Sequence, residues 1–422
     1  MPAPADVTHW LRGRALAVPA AVAAVCGAFG AVPLAGQAVC DRPWALEETL
    51  RLGSVDGDGM LTYVRDLAIG PDGRIYLLQS WDPIRVFRPD GRPAGRIGRQ
   101  GEGPGEWPSP LSHVGWRGDT LWVSHRLGTQ FLSADGEEFR RVSFRIRLPA
   151  EGSHLNPGRP LPDGTFLPYR TVNEDSRLFL KADRAALRRV SASGSIVDTL
   201  AMVERHLGPY ALEHETDRYG WGVMISHPLG PWSGESWLPV AATPDGQAIV
   251  LIGEVRDDRE DASFDLLRIR FDGDTLLRRA VPYEPRPITR AEASVQRERM
   301  ADRLARGGSP WDTSNPERKR RIGRELISFP ANYPPVRRIL AGDDGSMWLL
   351  REAWPDPADV WEIYGEDGEL EGSVRIEGPP DHEDWDPRLR ILRASRTEVW
   401  AATLGEFDVP YVHRYRVDRT CR

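Results

Sequence analysis

Short apolar segments alternate with glycine-containing turns along most of the chain. The first clear example has four apolar segments and two Pro-Asp-Gly turns: segments 64–69, 74–78, 84–87 and 93–97, and turns 71–73 and 89–91. Segments of this length between turns are typical of β-strands, and Asp-Gly tolerates the positive φ angles of tight hairpin turns. The stretch therefore predicts four antiparallel strands, with a longer loop between the second and third.

Turns of this kind recur in pairs, and each pair brackets two predicted strands. The paired glycines are Gly73 and Gly91, Gly118 and Gly136, Gly164 and Gly194, Gly246 and Gly273, and Gly345 and Gly368. The same four-strand frame fits 114–144, 158–200, 238–280 and 339–376. The chain thus contains five complete units with the same predicted hairpin arrangement.

A sixth unit at the C-terminus is one strand short. It has apolar segments at 388–392, 399–403 and 411–417, and the segment 48–52 near the N-terminus has no unit of its own. Repeated four-stranded units are typical of a β-propeller, whereas a solenoid needs a helix or turn unit that stacks linearly and a sandwich does not pair its turns so regularly. We predict an all-β fold, a six-bladed β-propeller closed by the N-terminal strand in the last blade.

The N-terminus has the pattern of a secretory signal peptide. Arg12 and Arg14 precede the apolar segment 15–32, and the small residues Gly36 and Ala38 follow it. We predict cleavage after Ala38, which gives a signal peptide at 1–38 and one propeller domain at 39–422, exported to the bacterial periplasm or cell exterior. The alternative is an uncleaved anchor, although an alanine-rich segment with a central proline is a poor membrane span.

Cysteine positions support the predicted closure of the ring. Cys26 leaves with the signal peptide, so Cys40 and Cys421 flank the N-terminal and C-terminal strands of the mature chain. In a closed propeller these flanks are neighbours, and an exported protein meets oxidising conditions. We predict a Cys40–Cys421 disulfide; the alternative is two unrelated thiols.

Three sequence stretches resemble bacterial six-bladed β-propeller proteins related to the NHL-repeat group. They are the glycine-rich stretch 96–106 (RIGRQGEGPGE), the pair 347–350 (MWLL) and 361–368 (WEIYGEDG), and 409–415 (VPYVHRY). The likeness covers nearly all of 45–419. It implies the same fold, and it implies little about activity because propellers host both enzymes and binding modules.

Composition restricts the partners. The chain has 422 residues, 55 basic and 62 acidic, with a net charge of −7, so it lacks the overall basic charge that drives nucleic-acid binding. Only Lys181 and Lys319 are lysines. Because arginine is the general basic residue of this chain, a single arginine is weak evidence for an anion site.

Two insertions depart from a minimal propeller. The first insertion, 286–335, lies between blades four and five. Thr289 and Glu292 form a predicted capping box, and the helix of about 17 residues that it begins should end near Gly307. A second helix should start at Pro316. We interpret the basic run 318–321 as a solvated helix face. The second insertion, 204–236, links blades three and four.

We expect the two insertions to pack together over the channel mouth. The residues involved would be aromatic side chains of one and apolar side chains of the other: Tyr210, Trp221 and Trp232 against Leu304, Leu326 and Ile327. The alternative is that each insertion folds outward against its own blade.

Loops on a rigid scaffold usually carry function, so the rim with the insertions and the channel mouth form the predicted site. The predicted ligand-binding residues are polar and lie at the ends of first and second strands: Arg65, Asp66, His113, His125, Arg170, Arg337, Arg351 and Glu352.

The chain lacks the common hydrolase, nucleotide-binding and zincin motifs. We therefore expect a monomeric exported scaffold that binds a protein or small ligand, with no cofactor, no nucleic acid, no stable membrane insertion after cleavage and no catalysis. The alternative is a metal-dependent hydrolase or lyase in the central channel, for which His206, His214 and His227 are weak candidate ligands.

Overall fold

A computed structural model provides the structure of the chain. It describes residues 43–79, 82–101, 103, 106–107, 111–125, 128–142, 146–147, 154–155, 158–168, 184–204, 240–258, 260–306, 316–317, 320–321, 324, 331–351, 358–377, 389–405 and 408–420.

The described residues form 28 strands, almost all of them in six four-stranded antiparallel sheets. The first strand is β1 (Ala45–Leu52). Blade 1 contains β2 (Val64–Ile69), β3 (Ile75–Gln79), β4 (Ile84–Phe87) and β5 (Pro93–Ile97), and is followed by the short parallel pair β6 (Arg99–Gln100) and β7 (Glu106–Trp107). Blade 2 contains β8 (Leu111–Arg117), β9 (Thr120–His125), β10 (Gly128–Leu132) and β11 (Glu138–Val142), and is followed by the short pair β12 (Ile146–Arg147) and β13 (His154–Leu155).

The remaining blades have the same order of strands. Blade 3 contains β14 (Arg159–Pro160), β15 (Phe166–Leu167), β16 (Arg184–Val190) and β17 (Ile196–Glu204). Blade 4 contains β18 (Val240–Ala242), β19 (Ala248–Arg256), β20 (Ser263–Arg270) and β21 (Thr275–Pro282). Blade 5 contains β22 (Val336–Ala341), β23 (Met347–Arg351), β24 (Asp359–Tyr364) and β25 (Leu370–Ile376). Blade 6 contains β26 (Leu389–Ala394), β27 (Glu398–Leu404), β28 (Pro410–Asp418) and β1.

The protein is a six-bladed β-propeller, as the sequence pattern predicts. All ten glycines of the predicted turn pairs have positive φ, from 56° at Gly118 to 97° at Gly273. In blades 1 to 5 these turns join strands 1 and 2 and strands 3 and 4, so they share one end of the ring, which we call the turn rim. The opposite end, with the connections between strands 2 and 3 and between blades, is the loop rim.

Six hydrophobic clusters hold the blades together, one between each consecutive pair of blades. Each cluster has members on both blades, for example Tyr76 and Leu121, Trp122 and Phe166, Leu187 and Leu251, Phe264 and Leu349, Trp361 and Ala401, and Trp400 and Leu77. The last cluster joins blade 6 to blade 1. Burial of both faces of every sheet is what a propeller needs for stability.

The N-terminal strand is the outermost strand of blade 6. It pairs antiparallel with β28 from Ala45 opposite Asp418 to Leu52 opposite Val412. Cys40 and Cys421 lie outside the described residues, so their disulfide stays a prediction. Both are within five residues of the paired positions Ala45 and Asp418.

The helical insertion lies between β21 and β22. Its helix α1 (Arg290–Arg306) has 17 residues and begins with the predicted capping box. The Glu292 carboxylate accepts a hydrogen bond from the Thr289 backbone N–H at 2.8 Å, and the Thr289 hydroxyl accepts one from the Glu292 N–H at 3.2 Å. Residues 316–317, 320–321 and 324 are also helical. From the predicted basic run, Arg320 pairs with Asp302 and Glu317, as expected of a solvated helix face.

The described residues of the glycine-rich stretch, 96–101, 103 and 106, lie in the connection between blades 1 and 2. The Glu106 carboxylate lies within it, 2.6 Å from the Arg99 guanidinium and 2.9 Å from the Gly103 N–H. These contacts of the Glu106 carboxylate with the described part of the stretch support its interpretation as an inter-blade turn.

Several sequence-based expectations fall on residues outside the described ranges. These are the signal peptide 1–38 and most of the insertion 204–236, including Tyr210, Trp221 and Trp232. The shared cover over the channel mouth therefore stays a prediction. None of the described helices is long and apolar enough to cross a membrane.

Candidate functional site

The first strands of the blades surround the central axis. Strands β2 and β8, β18 and β22, and β22 and β26 are neighbours, and β26 is also next to β2. We call β2, β8, β14, β18, β22 and β26 the inner strands. Each begins at the loop rim and ends at the turn rim.

Positive charge is concentrated on the inner strands. Together they carry seven arginines and one carboxylate, Asp66; the arginines are Arg65, Arg117, Arg159, Arg337, Arg338, Arg390 and Arg393. The whole chain, by contrast, has more acidic than basic residues. The scarcity of acidic residues on these strands, with Asp66 as the single example, distinguishes them from the rest of the protein more than the presence of arginine does.

Three inner strands have a β-bulge near the loop rim. Their registers shift between Val64 and Asp66, between Leu111 and His113, and between Val336 and Arg338. The extra residues are Arg65, Ser112 and Arg337. A bulge leaves its extra residue out of the regular pairing and redirects its side chain, and bulges are frequent beside functional sites.

Tyr63, Arg65 and Arg390 form a cluster where blades 6 and 1 meet at the channel mouth. The guanidinium carbons of Arg65 and Arg390 lie 4.9 and 5.7 Å from the centre of the Tyr63 ring. Arg390 is buried and also donates a hydrogen bond to the Val64 carbonyl of the neighbouring blade. The Tyr63 side chain is 42% exposed, so the cluster presents an aromatic ring and positive charge at the mouth.

Asp66 joins blade 1 to blade 2 beside this cluster. Its carboxylate lies 3.1 Å from the His113 Nδ1 and accepts a hydrogen bond from the Val114 N–H at 3.1 Å. It also accepts one from the Leu67 N–H at 2.8 Å. The only carboxylate of the inner strands is therefore engaged in fixing the position of His113 and the edge of β8.

Arg159 reaches across the channel wall from blade 3 to blade 4. Its guanidinium donates to the Ala242 carbonyl at 3.3 Å and to the Pro244 carbonyl at 2.7 Å. Burial lowers the pKa of Arg159, but an arginine stays charged in proteins. The two carbonyl oxygens have no formal charge, and the carboxylates of Asp66, Asp245 and Asp343 oppose the effect of burial on the pKa of Arg159.

A partly exposed ion pair lies nearer the turn rim. Arg393 of β26 contacts the carboxylate of Asp343, which follows β22. Burial raises the pKa of the Asp343 carboxyl, although the Arg393 guanidinium acts in the opposite direction. This pair links blades 5 and 6 across their inner edges.

The structure brings only some of the predicted site residues together. Arg65, Asp66 and His113 lie at the mouth on blades 1 and 2. Arg337 occupies the equivalent position on the first strand of blade 5, and its guanidinium lies 3.1 Å from the Asp359 carboxylate. Arg351 is turned into the interface of blades 4 and 5, 3.0 Å from Glu362 and over the Phe264 ring.

The other predicted residues do not belong to the described mouth. His125 is buried at the end of β9. Arg170, Glu352, His206, His214 and His227 lie outside the described residues. Within the described part of the chain, no group of three or more His, Cys, Asp or Glu side chains is arranged to hold a metal ion.

Sequence reasoning missed Tyr63, Arg159, Arg338, Arg390 and Arg393. A signal for most of them was available: when the units are aligned by their turns, the first strand of nearly every blade contains an arginine. Tyr63 had no such signal, because it precedes its strand and becomes prominent only through Arg65 and Arg390.

A second polar cluster lies on the outer strands of blade 6. The His413 Nε2 is 2.8 Å from the Thr403 hydroxyl, and its Nδ1 is 2.8 Å from the Glu48 carboxylate. This connectivity is similar to that of a hydrolase triad, but the His413 side chain is only 7% exposed. We assign the cluster to the joining of β27, β28 and β1.

The His413 cluster should make the fold sensitive to acid. Burial lowers the pKa of His413 from its ordinary 6.5, and hydrogen bonds from Arg51 and His413 lower the pKa of Glu48 from 4.5 against the effect of burial. As the pH is lowered through 6.5, the unfolded chain takes up a proton at this histidine before the folded chain does. The free energy of unfolding therefore decreases as the pH is lowered. The slope from one such group is at most about 1.4 kcal/mol per pH unit.

Urea unfolding at pH 7.5 and pH 5.5 would measure this loss, and His413→Gln should reduce it because glutamine keeps hydrogen-bonding capacity without titrating. Tyr411, Tyr415 and Arg51 also face the histidine and are unchanged in this variant. An unchanged pH dependence in His413→Gln would contradict the assignment.

No protein family model matches the chain, and no curated protein sequence matches it. Among solved structures it is similar to a protein of Bacteroides fragilis assigned as exported, with 10% identity and a TM-score of 0.41, covering 91% of this chain and 98% of that chain. It is similar to the calcium-binding protein regucalcin of Agrobacterium tumefaciens, with 11% identity and a TM-score of 0.38, covering 88% and 95%. A gluconolactonase of Xanthomonas campestris has 11% identity and a TM-score of 0.34, covering 90% and 96%. Similarities at this level concern the fold alone.

Proposed function

We propose that this six-bladed propeller is an exported, monomeric binding module that takes a small anionic ligand at the loop-rim mouth of its channel. The observation that supports this is the charge of the inner strands: seven arginines and a single carboxylate in a chain of net charge −7. Asp66 is itself held by His113 and the β8 backbone.

The position of these arginines favours an anion over other ligands. A recess with walls of low dielectric constant strengthens the field of the charges that line it. Guanidinium groups also match carboxylate and phosphate oxygens with two parallel hydrogen bonds. The acidic outer surface disfavours a long polyanion such as nucleic acid, so a small anion is the better fit.

Loss of Arg65 should weaken anion binding. Calorimetric titration with acetate, inorganic phosphate and sulfate at low ionic strength should show at least one anion binding, and more weakly as salt is added. Hydrogen bonds to charged groups contribute about 1.5–3 kcal/mol, so Arg65→Ala should reduce the affinity about tenfold or more.

The matched control is Arg92→Ala, an exposed arginine at the turn rim that pairs with Asp90. It removes the same charge from the chain and should leave the affinity unchanged. Equal weakening by both substitutions would show a general charge effect, and the absence of binding by all three anions would refute the proposal.

A further inference from the structure

Exposed apolar side chains gather beside the cationic mouth. Ten large hydrophobic residues of the described chain are exposed, and three of them, Val55 (59%), Met60 (47%) and Tyr63 (42%), fall in the connection from β1 to β2. This connection crosses the loop rim from the outermost strand of blade 6 to the innermost strand of blade 1. Three exposed apolar side chains in one short segment indicate an apolar patch and not isolated exposed residues.

The backbone of the connection brings the positions of these three residues near one another. Ser54 and Met60 form a parallel bridge, so Val55 and Met60 are on adjacent stretches of backbone about 5 Å apart. Tyr63 follows Met60 by three residues, a distance of at most about 11 Å along the chain. The apolar surface therefore continues to the ring that contacts Arg65 and Arg390.

The polar groups of this connection are used to anchor it. The Thr62 hydroxyl contacts the Asp82 carboxylate at 2.6 Å, and the Thr62 N–H donates to the Gln79 side chain at 2.7 Å. Arg85, which is buried, donates to the Met60 carbonyl at 3.5 Å. These hydrogen bonds hold the backbone of the connection against blade 1, while the side chains of Val55, Met60 and Tyr63 are exposed.

We infer that the ligand of the mouth is a monomeric amphiphile with one anionic group and one apolar chain. The anionic group would bind at Arg65 and Arg390, and the chain would lie over Tyr63, Met60 and Val55. This inference rests on the proposed function, since it describes the ligand of the same site. It follows from the combination of charge complementarity with an adjacent apolar surface, because a purely polar anion would leave that surface unused.

The test is a series of straight-chain carboxylates from acetate to decanoate, each kept below its micelle concentration and titrated by calorimetry. A fully buried methylene strengthens binding about fourfold, and a half-buried one about twofold, so affinity should rise about twofold per methylene. Octanol, which has a similar chain without the charge, should bind much more weakly than octanoate.

Two variants separate the parts of the site. Met60→Ser should flatten the dependence on chain length while leaving acetate binding unchanged, and Arg65→Ala should weaken every member of the series by the same factor. Leu276→Ser removes a similarly exposed apolar side chain (43%) from the outermost strand of blade 4, outside the connection, and is the control for Met60→Ser.

The outcomes distinguish this inference from the proposed function. If acetate binds but longer chains bind no better, or if Met60→Ser keeps the full dependence on chain length, the inference is wrong and the anion site stands. If octanol binds as well as octanoate, the charge has no part in recognition and the inference is overturned. If no anion binds at all, both fall.

Discussion

Replacing Trp44 with alanine is expected to lower the free energy of unfolding by about 4 kcal/mol, as large-to-small substitutions of buried tryptophan do. Trp44 immediately precedes β1 and is 5% exposed. Its ring fills the space over Gly372 of β25, where any side chain would overlap it, and the Arg419 guanidinium lies 4.6 Å above it. The backbone N–H of Trp44, which alanine would retain, donates to the Ser373 carbonyl at 2.6 Å. One residue thus joins the closing strand of blade 6 to blade 5.

Urea unfolding followed by far-ultraviolet circular dichroism would measure this loss as a lower midpoint. Leu404→Ala, also on blade 6 but exposed, should change stability by less than about 0.5 kcal/mol. A loss below about 1 kcal/mol for Trp44→Ala would show that β1 is held by its pairing with β28 and that the Trp44 contact contributes little.

The number of blades and their closure could be derived from the sequence because both depend on local signals. A glycine in a short turn, which follows aspartate in eight of the ten cases here, indicates a positive φ, and that angle is set by steric contacts within a few residues. All ten turn glycines therefore have the predicted φ. The place of β1 followed from the number of strands. The C-terminal unit has only three predicted strands, and the N-terminal segment 48–52 belongs to no other unit.

The site was harder to derive because it depends on side-chain direction after the ring has formed. A bulge of one residue reverses which face a side chain occupies, and the bulges at Arg65 and Arg337 leave no mark in the sequence. Arg351 illustrates the difficulty: it ends its strand near the loop rim, as expected, yet its guanidinium pairs with Glu362 inside the interface. Contacts between blades, such as Arg390 with the Val64 carbonyl, join residues far apart in sequence and have no local pattern.

The glycine-rich stretch, which carries part of the family resemblance, should contribute to the stability of the fold and have no part in ligand binding. Gly98 has a φ of 72°, and a Cβ at this position would overlap the ring of Trp107. Trp107 is 1% exposed and belongs to the cluster between blades 1 and 2. The left-handed backbone costs a non-glycine residue about 1 kcal/mol, and overpacking adds about 1–3 kcal/mol.

Gly98→Ala should therefore destabilise the protein by about 3 kcal/mol in urea unfolding, and the matched control is Gly118→Ala. Gly118 also has positive φ, 56°, but a Cβ there meets nothing within 4 Å, so this variant isolates the backbone cost of about 1 kcal/mol. The difference between the two variants measures the overlap with Trp107. If Gly98→Ala is no more destabilising than Gly118→Ala, Trp107 moves aside without cost and the stretch does not fix the spacing of blades 1 and 2. Acetate affinity of the folded Gly98→Ala protein should equal that of the unsubstituted chain, because the substitution leaves Tyr63, Arg65 and Arg390 in place.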